Sequence, residues 1–287
     1  MKFVSYKNSN LEERLGLYIN EKIYDLQENA KQFSIDIPNT MALFLAGEEK
    51  SMGFARQIHD AINNDNTDIS IETIQATLLA PVPHPTSCRD AYAFRQHVAT
   101  ARRNRGVEMI PEFDQYPVFY FTNHNSIIGE GDIMVENDHL KKLDFELEAA
   151  VVIGKRGKNI DTKDADAYIA GYTIMNDISA RVLQMEEMKL NLGPAKGKDF
   201  ATAIGPWLVT PDELEPYKIE TGFGNKYDLK MTAYHNDKLI SEGNLKDINW
   251  TFAEIIERCS YGVEIYPGDV IGSGTVGTGC YLELNGT

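Results

Sequence analysis

Short apolar segments that alternate or cluster between turn-forming residues run through most of the chain, and this pattern predicts a β-rich protein. The opening runs 2–6, 15–19 and 22–26 have this character and predict a small antiparallel sheet. Between positions 39 and 64 the apolar residues instead recur at helical spacing, interrupted by Gly47, which predicts two short helices. The N-terminal part is therefore expected to be a small α+β unit.

A proline-rich segment, LLAPVPHP at 78–85, separates this unit from the rest of the chain. Each proline removes a backbone donor and restricts the preceding residue, so we expect an extended crossing between domains. The predicted division is a small domain at 1–77 and a larger domain at 78–287. In the larger domain, strand-like runs lie at 118–121, 145–153, 207–209, 229–234, 270–271 and 281–284, with helical spacing only near 90–103, 180–189 and 251–260.

Composition narrows the functional classes. The 287 residues are 43% apolar, enough for a sizeable core, and their net charge of −15 would repel nucleic-acid phosphates and anionic membranes. The three cysteines, Cys88, Cys259 and Cys280, match neither a disulfide framework nor a CxxC metal motif, and we interpret them as buried thiols. No run has the length of a signal peptide or a membrane span, so a cytoplasmic protein is expected.

Two glutamates in the run 143–153 are the first candidates for chemistry. Strand periodicity places Glu146 and Glu148 on one face, and the uniformly apolar residues after them indicate a buried strand. Two buried ionised carboxylates repel each other unless a cation lies between them, which favours a hard divalent ion. The alternative is a half-exposed strand whose glutamates lie in solvent.

Two aspartates are further candidates. Asp177 follows an apolar strand and precedes a helical stretch, and Asp90 stands at the start of a helix-like segment. Each could be a helix N-cap, a role that aspartate often fills, and spacing alone leaves both interpretations open.

Together these segments resemble the fumarylacetoacetate hydrolase family from about residue 90 to the C-terminus. The matching blocks, in chain order, are Asp90-x-Tyr92-x-x-Arg95-Gln96-His97, Leu143-Asp144-x-Glu146-Leu147-Glu148, Asn176-Asp177-x-Ser179-Ala180-Arg181-x-x-Gln184, Leu192-Gly193-Pro194, Gly197-Lys198-x-Phe200, Gly205-Pro206-Trp207, Gly272-Ser273-Gly274-Thr275 and Leu282-Glu283-Leu284. The resemblance implies an α+β, β-rich fold: a mixed β-sandwich roll with short flanking helices, after a small N-terminal α+β domain. It also implies a homodimer.

The resemblance further implies the roles of individual residues. The metal ligands would be Asp90, Glu146, Glu148 and Asp177, an all-oxygen set that suits Mg²⁺, Mn²⁺ or Ca²⁺ better than zinc. The catalytic residues would be the general base His97, the carboxylate Glu283 that orients it, and the oxyanion donors Arg181, Gln184 and Lys198. Substrate contacts would come from Tyr92, Tyr120 and Thr275. Histidine suits a base because the pKa of free imidazole lies near neutrality.

These roles predict a metal-dependent hydrolase that breaks a carbon–carbon bond in a small acidic 1,3-diketone or 2,4-dioxo acid. Thr100 stands where some smaller relatives have a glutamate three residues after the histidine, which favours water activation by His97 and Glu283. Enol–keto isomerisation or decarboxylation of a 2-oxo acid, or metabolite binding without catalysis, remain alternatives. The basic segment 101–106 is either a contact for an acidic substrate or a solvated surface.

Overall fold

The structure is a computed structural model that describes residues 1–64, 71–72 and 76–284. The strands are β1 (Lys2–Lys7), β2 (Glu13–Ile19), β3 (Lys22–Asp25), β4 (Ile71–Glu72), β5 (Thr77–Leu78), β6 (Cys88–Ala91), β7 (Phe119–Thr122), β8 (Ile127–Ile128), β9 (Leu143–Asp144), β10 (Leu147–Ile153), β11 (Gly157–Lys158), β12 (Ile169–Asp177), β13 (Ser179–Ala180), β14 (Thr202–Ile204), β15 (Leu208–Val209), β16 (Lys218–Thr221), β17 (Gly224–Tyr227), β18 (Lys230–His235), β19 (Lys238–Asn244), β20 (Glu264–Ile265) and β21 (Val270–Gly272). The α-helices are α1 (Leu26–Lys31), α2 (Met41–Ala46), α3 (Glu48–Asn63), α4 (Arg95–Asn104), α5 (Thr162–Ala165), α6 (Arg181–Met188), α7 (Phe252–Ser260) and α8 (Tyr281–Leu284).

One large mixed sheet organises the molecule. Among the described residues, thirteen strands belong to it, and its main path runs β4-β3-β2-β1-β15-β12-β10-β21-β6-β7. Most neighbours on this path are antiparallel, whereas β21 and β6 run parallel. The described residues also form four two-stranded sheets and the helices given above. This arrangement confirms the predicted α+β, β-rich fold.

The central strand β10 is buried on both faces. Ala150 and Val152 belong to a core cluster that includes the apolar side of α3, whereas Ala149 and Val151 belong to a second cluster built around α7. A strand covered on both sides is apolar along its whole length, which explains the uniform run in the sequence. The predicted buried strand is confirmed from residue 147 onward, while residues 143–144 form the separate strand β9.

The N-terminal strands extend the same sheet. Phe3 of β1 lies opposite Leu208 of β15, and Tyr6 lies opposite Leu78 of β5. The two predicted helices are present as α2 and α3, and Gly47 lies between them. The division into domains at residues 77 and 78 stays a prediction.

Two local predictions are wrong. Residues 281–284 form helix α8 rather than a strand, because the carboxylate of Asp144 accepts hydrogen bonds from the amides of Tyr281 and Leu282 and holds the chain in a turn. Asp90 lies in strand β6, paired with β21 and β7, and helix α4 begins only at Arg95.

Two predictions from composition can be compared with the described residues. All three cysteines are free and buried, as expected. The helices in the described ranges include none with the length and apolar character that a membrane crossing requires.

Candidate metal and catalytic site

Four carboxylates from neighbouring strands meet at one end of the sheet. Asp90 comes from β6, Glu148 from β10 and Asp177 from the end of β12, while Glu146 lies just before β10. Each offers an oxygen within 4.8 Å of the others, and all four are at most 6% exposed. Neither aspartate caps a helix: Asp177 accepts hydrogen bonds from the side chains of Lys198 and Tyr120. The structure thus brings together the whole predicted ligand set.

Two glycines allow these carboxylates to approach the backbone. A Cβ on Gly272 would lie only 2.6 Å from Oδ1 of Asp90, so a side chain there would displace the carboxylate. Gly274 has a positive φ of 78°, and its amide donates to Oδ1 of Asp90 and Oε2 of Glu148, both at 3.1 Å. The glycine-rich turn that follows β21 therefore orients two of the four carboxylates.

Burial and mutual repulsion disfavour full ionisation of this cluster. Burial, followed by the charge of Asp177, raises the pKa of Asp90 to about 7. Burial and the charge of Asp90 raise the pKa of Glu148 well above its usual value, and burial also raises the pKa of Asp177. Only for Glu146 is the burial effect outweighed, because Lys198 and Arg181 lower its pKa.

The donor set fits a hard divalent cation. Lys198 and Arg181 contact the cluster, and Arg181 is shared with Asp144, so four ionised carboxylates would keep at least two negative charges, which a divalent cation would reduce. Within the described part of the chain, Oδ1 of Asp177 is buried without a hydrogen-bond partner. Oxygen-only sites favour Mg²⁺, Mn²⁺ or Ca²⁺.

The predicted oxyanion donors are near the cluster, but two of them donate mainly to it. Nζ of Lys198 lies 2.5 Å from Oε2 of Glu146 and 2.7 Å from Oδ2 of Asp177. Arg181 donates to Glu146 and, through Nη1, to the side-chain oxygen of Gln184 at 2.9 Å. This leaves the amide –NH₂ of Gln184 as a donor, and all three residues line the same cavity.

His97 and Glu283 form a buried pair beside this cavity. Nδ1 of His97 lies 3.3 Å from Oε2 of Glu283, without the alignment of a hydrogen bond. Helix α4 carries the histidine and α8 carries the glutamate, and Asn104 of α4 donates to the main-chain carbonyls of Leu282 and Glu283. The two helices therefore hold His97 and Glu283 together.

The cavity has a volume of about 400 Å³, and the three predicted substrate contacts line it. Tyr92 packs edge-on against His97, with ring centres 5.6 Å apart. The hydroxyl of Tyr120 donates to Asp90 and Asp177, and Thr275 lies 3.4 Å from Glu148. Arg102 and Arg105, from the basic segment, also line the cavity; Arg102 is half-buried, whereas Arg105 is exposed.

Sequence reasoning assigns no role to Asp144, which links the carboxylate cluster to the pair of His97 and Glu283. Its buried carboxylate accepts a hydrogen bond from Nε of Arg181 at 2.8 Å and caps α8 through the amides of Tyr281 and Leu282. Asp144 therefore connects Arg181, which contacts Glu146, with helix α8, which carries Glu283. Strand alternation could have found it, because a continuous strand over 143–153 would place residues 144, 146 and 148 on one face.

Comparisons with known proteins identify similar sequences. A family described as "Fumarylacetoacetate (FAA) hydrolase C-terminal" matches residues 86–285. The chain is 31% identical to the oxaloacetate tautomerase YisK of Bacillus subtilis over 274 residues, which covers 91% of this chain and 84% of that protein. It is 32% identical to the fumarylacetoacetase of Oryza sativa over 217 residues, 61% of this chain and half of that protein.

A solved structure shows the same fold. The maleylpyruvate hydrolase of Sphingobium sp. SYK-6, in complex with manganese(II) and pyruvate, superposes with a TM-score of 0.70 at 20% identity. The match covers 98% of this chain and 90% of that one.

Proposed function

The chain belongs to the fumarylacetoacetate hydrolase family, and we propose that it is a metal-dependent hydrolase that cleaves a carbon–carbon bond in a small acidic diketone. The substrate class is a 1,3-diketone or 2,4-dioxo acid, such as fumarylacetoacetate, an acylpyruvate or a diketo-deoxy sugar acid. The observation that carries the proposal is the buried pair of His97 and Glu283: His97 lines the cavity that three of the four clustered carboxylates, Asp90, Glu146 and Glu148, also line.

Asp90, Glu146, Glu148 and Asp177 would hold the cation, which we propose to be Mg²⁺, Mn²⁺ or Ca²⁺. When bound, the cation would supply Lewis-acid chemistry: it polarises the substrate oxygens and offsets the negative charge of an enolate. The manganese in the maleylpyruvate hydrolase, which shares the fold, supports a divalent ion of this kind.

His97 would act as the general base. It takes a proton from water while the water oxygen attacks one substrate carbonyl, and Glu283, 3.3 Å away, stabilises the resulting imidazolium. The carbon–carbon bond then breaks, its electron pair leaves on the enolate fragment, and the imidazolium returns a proton to that carbon. Two acids result, and His97 regains its starting state.

The cavity wall would supply the remaining interactions. Gln184 keeps its amide –NH₂ as a donor for the oxyanion, and Lys198 has a third N–H beyond the two that contact carboxylates. Arg102 and Arg105 place positive charge on the cavity lining, where they would attract an acidic substrate.

The test is turnover of a panel of acylpyruvates, fumarylacetoacetate and diketo-deoxy sugar acids with Mg²⁺ or Mn²⁺, and again after EDTA treatment. We expect metal-dependent release of two acids from at least one substrate. His97→Gln should abolish it, whereas His84→Gln, a change at an exposed histidine, should not. Absence of acid release from every member of the panel would refute hydrolysis.

Tautomerisation of a 2-oxo acid is the second candidate, and the similarity to an oxaloacetate tautomerase over most of both chains favours it. The same base could move a proton between carbon and the enol oxygen without consuming water. Loss of the enol absorbance of oxaloacetate, without acid release, would indicate this reaction. Carbon dioxide release would indicate decarboxylation, and saturable binding without turnover would indicate a binding protein.

We also propose a homodimer as the working assembly. Support comes from apolar side chains beside a second cavity: Ile174 is 60% exposed in the middle of β12, and Tyr234 on β18 is 64% exposed. Sedimentation equilibrium should give twice the chain mass, and Ile174→Glu should shift the protein to monomer. A monomeric wild-type protein would refute the assembly.

A further inference from the structure

We propose that His97, Cys280 and Glu283 form a second cation site, which binds Zn²⁺ or a similar ion that prefers nitrogen and sulfur, and that this ion inhibits the enzyme. The site is separate from the four carboxylates and uses a cysteine to which the proposed reaction assigns no role. Ion binding can be tested without turnover, whereas the inhibition rests on the proposed function.

The three side chains converge behind the cavity. His97, Cys280 and Glu283 are 5%, 0% and 8% exposed, and each offers a ligand atom within 4.8 Å of the other two. Two ligands about 2.1 Å from a tetrahedral zinc ion stand about 3.4 Å apart. The separation of 3.3 Å between Nδ1 of His97 and Oε2 of Glu283 matches this spacing.

The donor atoms at this site lack the partners that buried polar atoms normally have. Within the described residues, Nδ1 of His97 and both side-chain oxygens of Glu283 are buried without a hydrogen bond. Most buried polar atoms in proteins are satisfied, so three unsatisfied atoms in one place indicate a missing partner. A cation between them would satisfy the nitrogen and at least one oxygen.

The ligand types select the ion. Nitrogen, sulfur and oxygen donors suit Zn²⁺, whereas Mg²⁺ and Ca²⁺ favour the oxygen-only cluster. Burial, followed by the charge of Glu146, raises the pKa of Cys280 to about 12, so the ion must displace the thiol proton, as thiol-bound zinc does. The cavity gives a route of entry, because His97 lines it.

Occupation of this site would stop the proposed base from working. An ion bound to Nδ1 separates His97 from the carboxylate of Glu283 and places positive charge against the ring. The imidazole then loses the partner that stabilises its protonated form, and proton uptake from water becomes unfavourable. Inhibition would therefore occur even when the carboxylate cluster is saturated with Mg²⁺.

Binding is tested with Co²⁺, which replaces Zn²⁺ and gives an ultraviolet charge-transfer band when a thiolate binds it. Wild-type protein in excess Mg²⁺ should develop this band, and Zn²⁺ should remove it. Cys280→Ala should lack the band, whereas Cys259→Ala, a change at another buried thiol, should keep it. Absence of the band in the wild type, or its persistence in Cys280→Ala, would overturn the proposed site.

Inhibition is tested by titrating Zn²⁺ into the turnover assay in excess Mg²⁺. Because loss of even a supporting contact weakens metal sites about tenfold or more, Cys280→Ala should need at least about tenfold more Zn²⁺ for half-inhibition. Cys280→Ser serves as a second variant if the alanine protein does not fold. Equal sensitivity of wild type and variant would overturn the inhibitory role. If no substrate is turned over, the hydrolase proposal fails, while the cobalt band still decides the binding site.

Discussion

Affinity for the divalent cation should fall about tenfold between pH 8 and pH 6, because Asp90 must lose its proton before it binds. The pKa of Asp90 is about 7, raised first by burial and then by the charge of Asp177. About nine-tenths of the carboxyl is ionised at pH 8 and about one-tenth at pH 6, which corresponds to about 1.4 kcal/mol of binding free energy. The raised pKa values of Glu148 and Asp177 act in the same direction, so tenfold is a lower bound.

Isothermal titration calorimetry with Mn²⁺ and EDTA-treated protein measures this effect. Parallel titrations in two buffers with different protonation enthalpies count the protons released when Mn²⁺ binds. Asp90 alone should release about 0.9 proton per site at pH 6 and about 0.1 at pH 8. Asp138→Asn is a control for net charge. Because this exposed aspartate lies outside the site, its replacement should leave the pH dependence of Mn²⁺ affinity unchanged. Equal affinity at pH 6 and pH 8, without proton release, would refute the reasoning.

The same raised pKa destabilises the cation-free fold at neutral pH. A carboxyl whose pKa rises from 3.8 to about 7 on folding binds its proton more tightly when folded, so stability is lost as the pH rises through this range. The shift of about three units corresponds to at most about 4 kcal/mol. In EDTA the Tm should therefore fall between pH 5 and pH 8, and Mn²⁺ at pH 8 should raise it again. A Tm that rises with pH in EDTA would contradict this account.

Four substitutions test individual residues of the structure. Asp177→Ala should abolish both cation binding and turnover, whereas His97→Ala should abolish turnover alone; a fully active histidine variant would disprove its role as the base. Asp144→Asn should lower turnover about tenfold or more, because one carboxylate oxygen becomes an –NH₂ that cannot accept, so either the Tyr281 amide or the pair of Arg181 and the Leu282 amide loses its acceptor; steady-state rates that equal the wild type would contradict a positioning role. Thr251→Ala should lower the free energy of unfolding by about 1 kcal/mol, because it removes the capping box of α7; urea unfolding with an unchanged m-value measures this, and an unchanged midpoint would contradict it.

The sequence predicted those elements whose pattern is local. Helices α2, α3 and α7 were predicted from the spacing of apolar residues, and the buried strand β10 from its uniform run. Helix α8 was missed because its four residues alternate like a strand. The contact that bends them comes from Asp144, 137 residues away in the chain. Asp90 was assigned to a helix for the same reason, since its pairing partners β7 and β21 are distant in sequence.

Contacts between residues distant in sequence also limited the prediction of the candidate site. Residue types and spacing could not distinguish Asp90 and Asp177 from helix caps, and only the family resemblance assigned them to one cluster. Arg181 and Lys198 were expected to donate to the substrate, yet in the structure both contact carboxylates 21 to 52 residues away. Charges that neutralise one another across the fold leave no periodic signal in the sequence, so such pairings require the structure.

The choice between hydrolysis and tautomerisation depends more on the cavity wall than on the base. As the proposed base, His97 would accept a proton either from water or from carbon, and both reactions would produce an enolate that a bound cation would stabilise. Hydrolysis also places negative charge on the oxygen of the attacked carbonyl, which needs a donor that is not already committed to protein carboxylates. Gln184 would meet this requirement, because it lines the cavity and its side-chain oxygen accepts from Arg181, which leaves its –NH₂ as a donor. Tautomerisation has no such requirement, so the role of Gln184 is the structural feature that separates the two reactions.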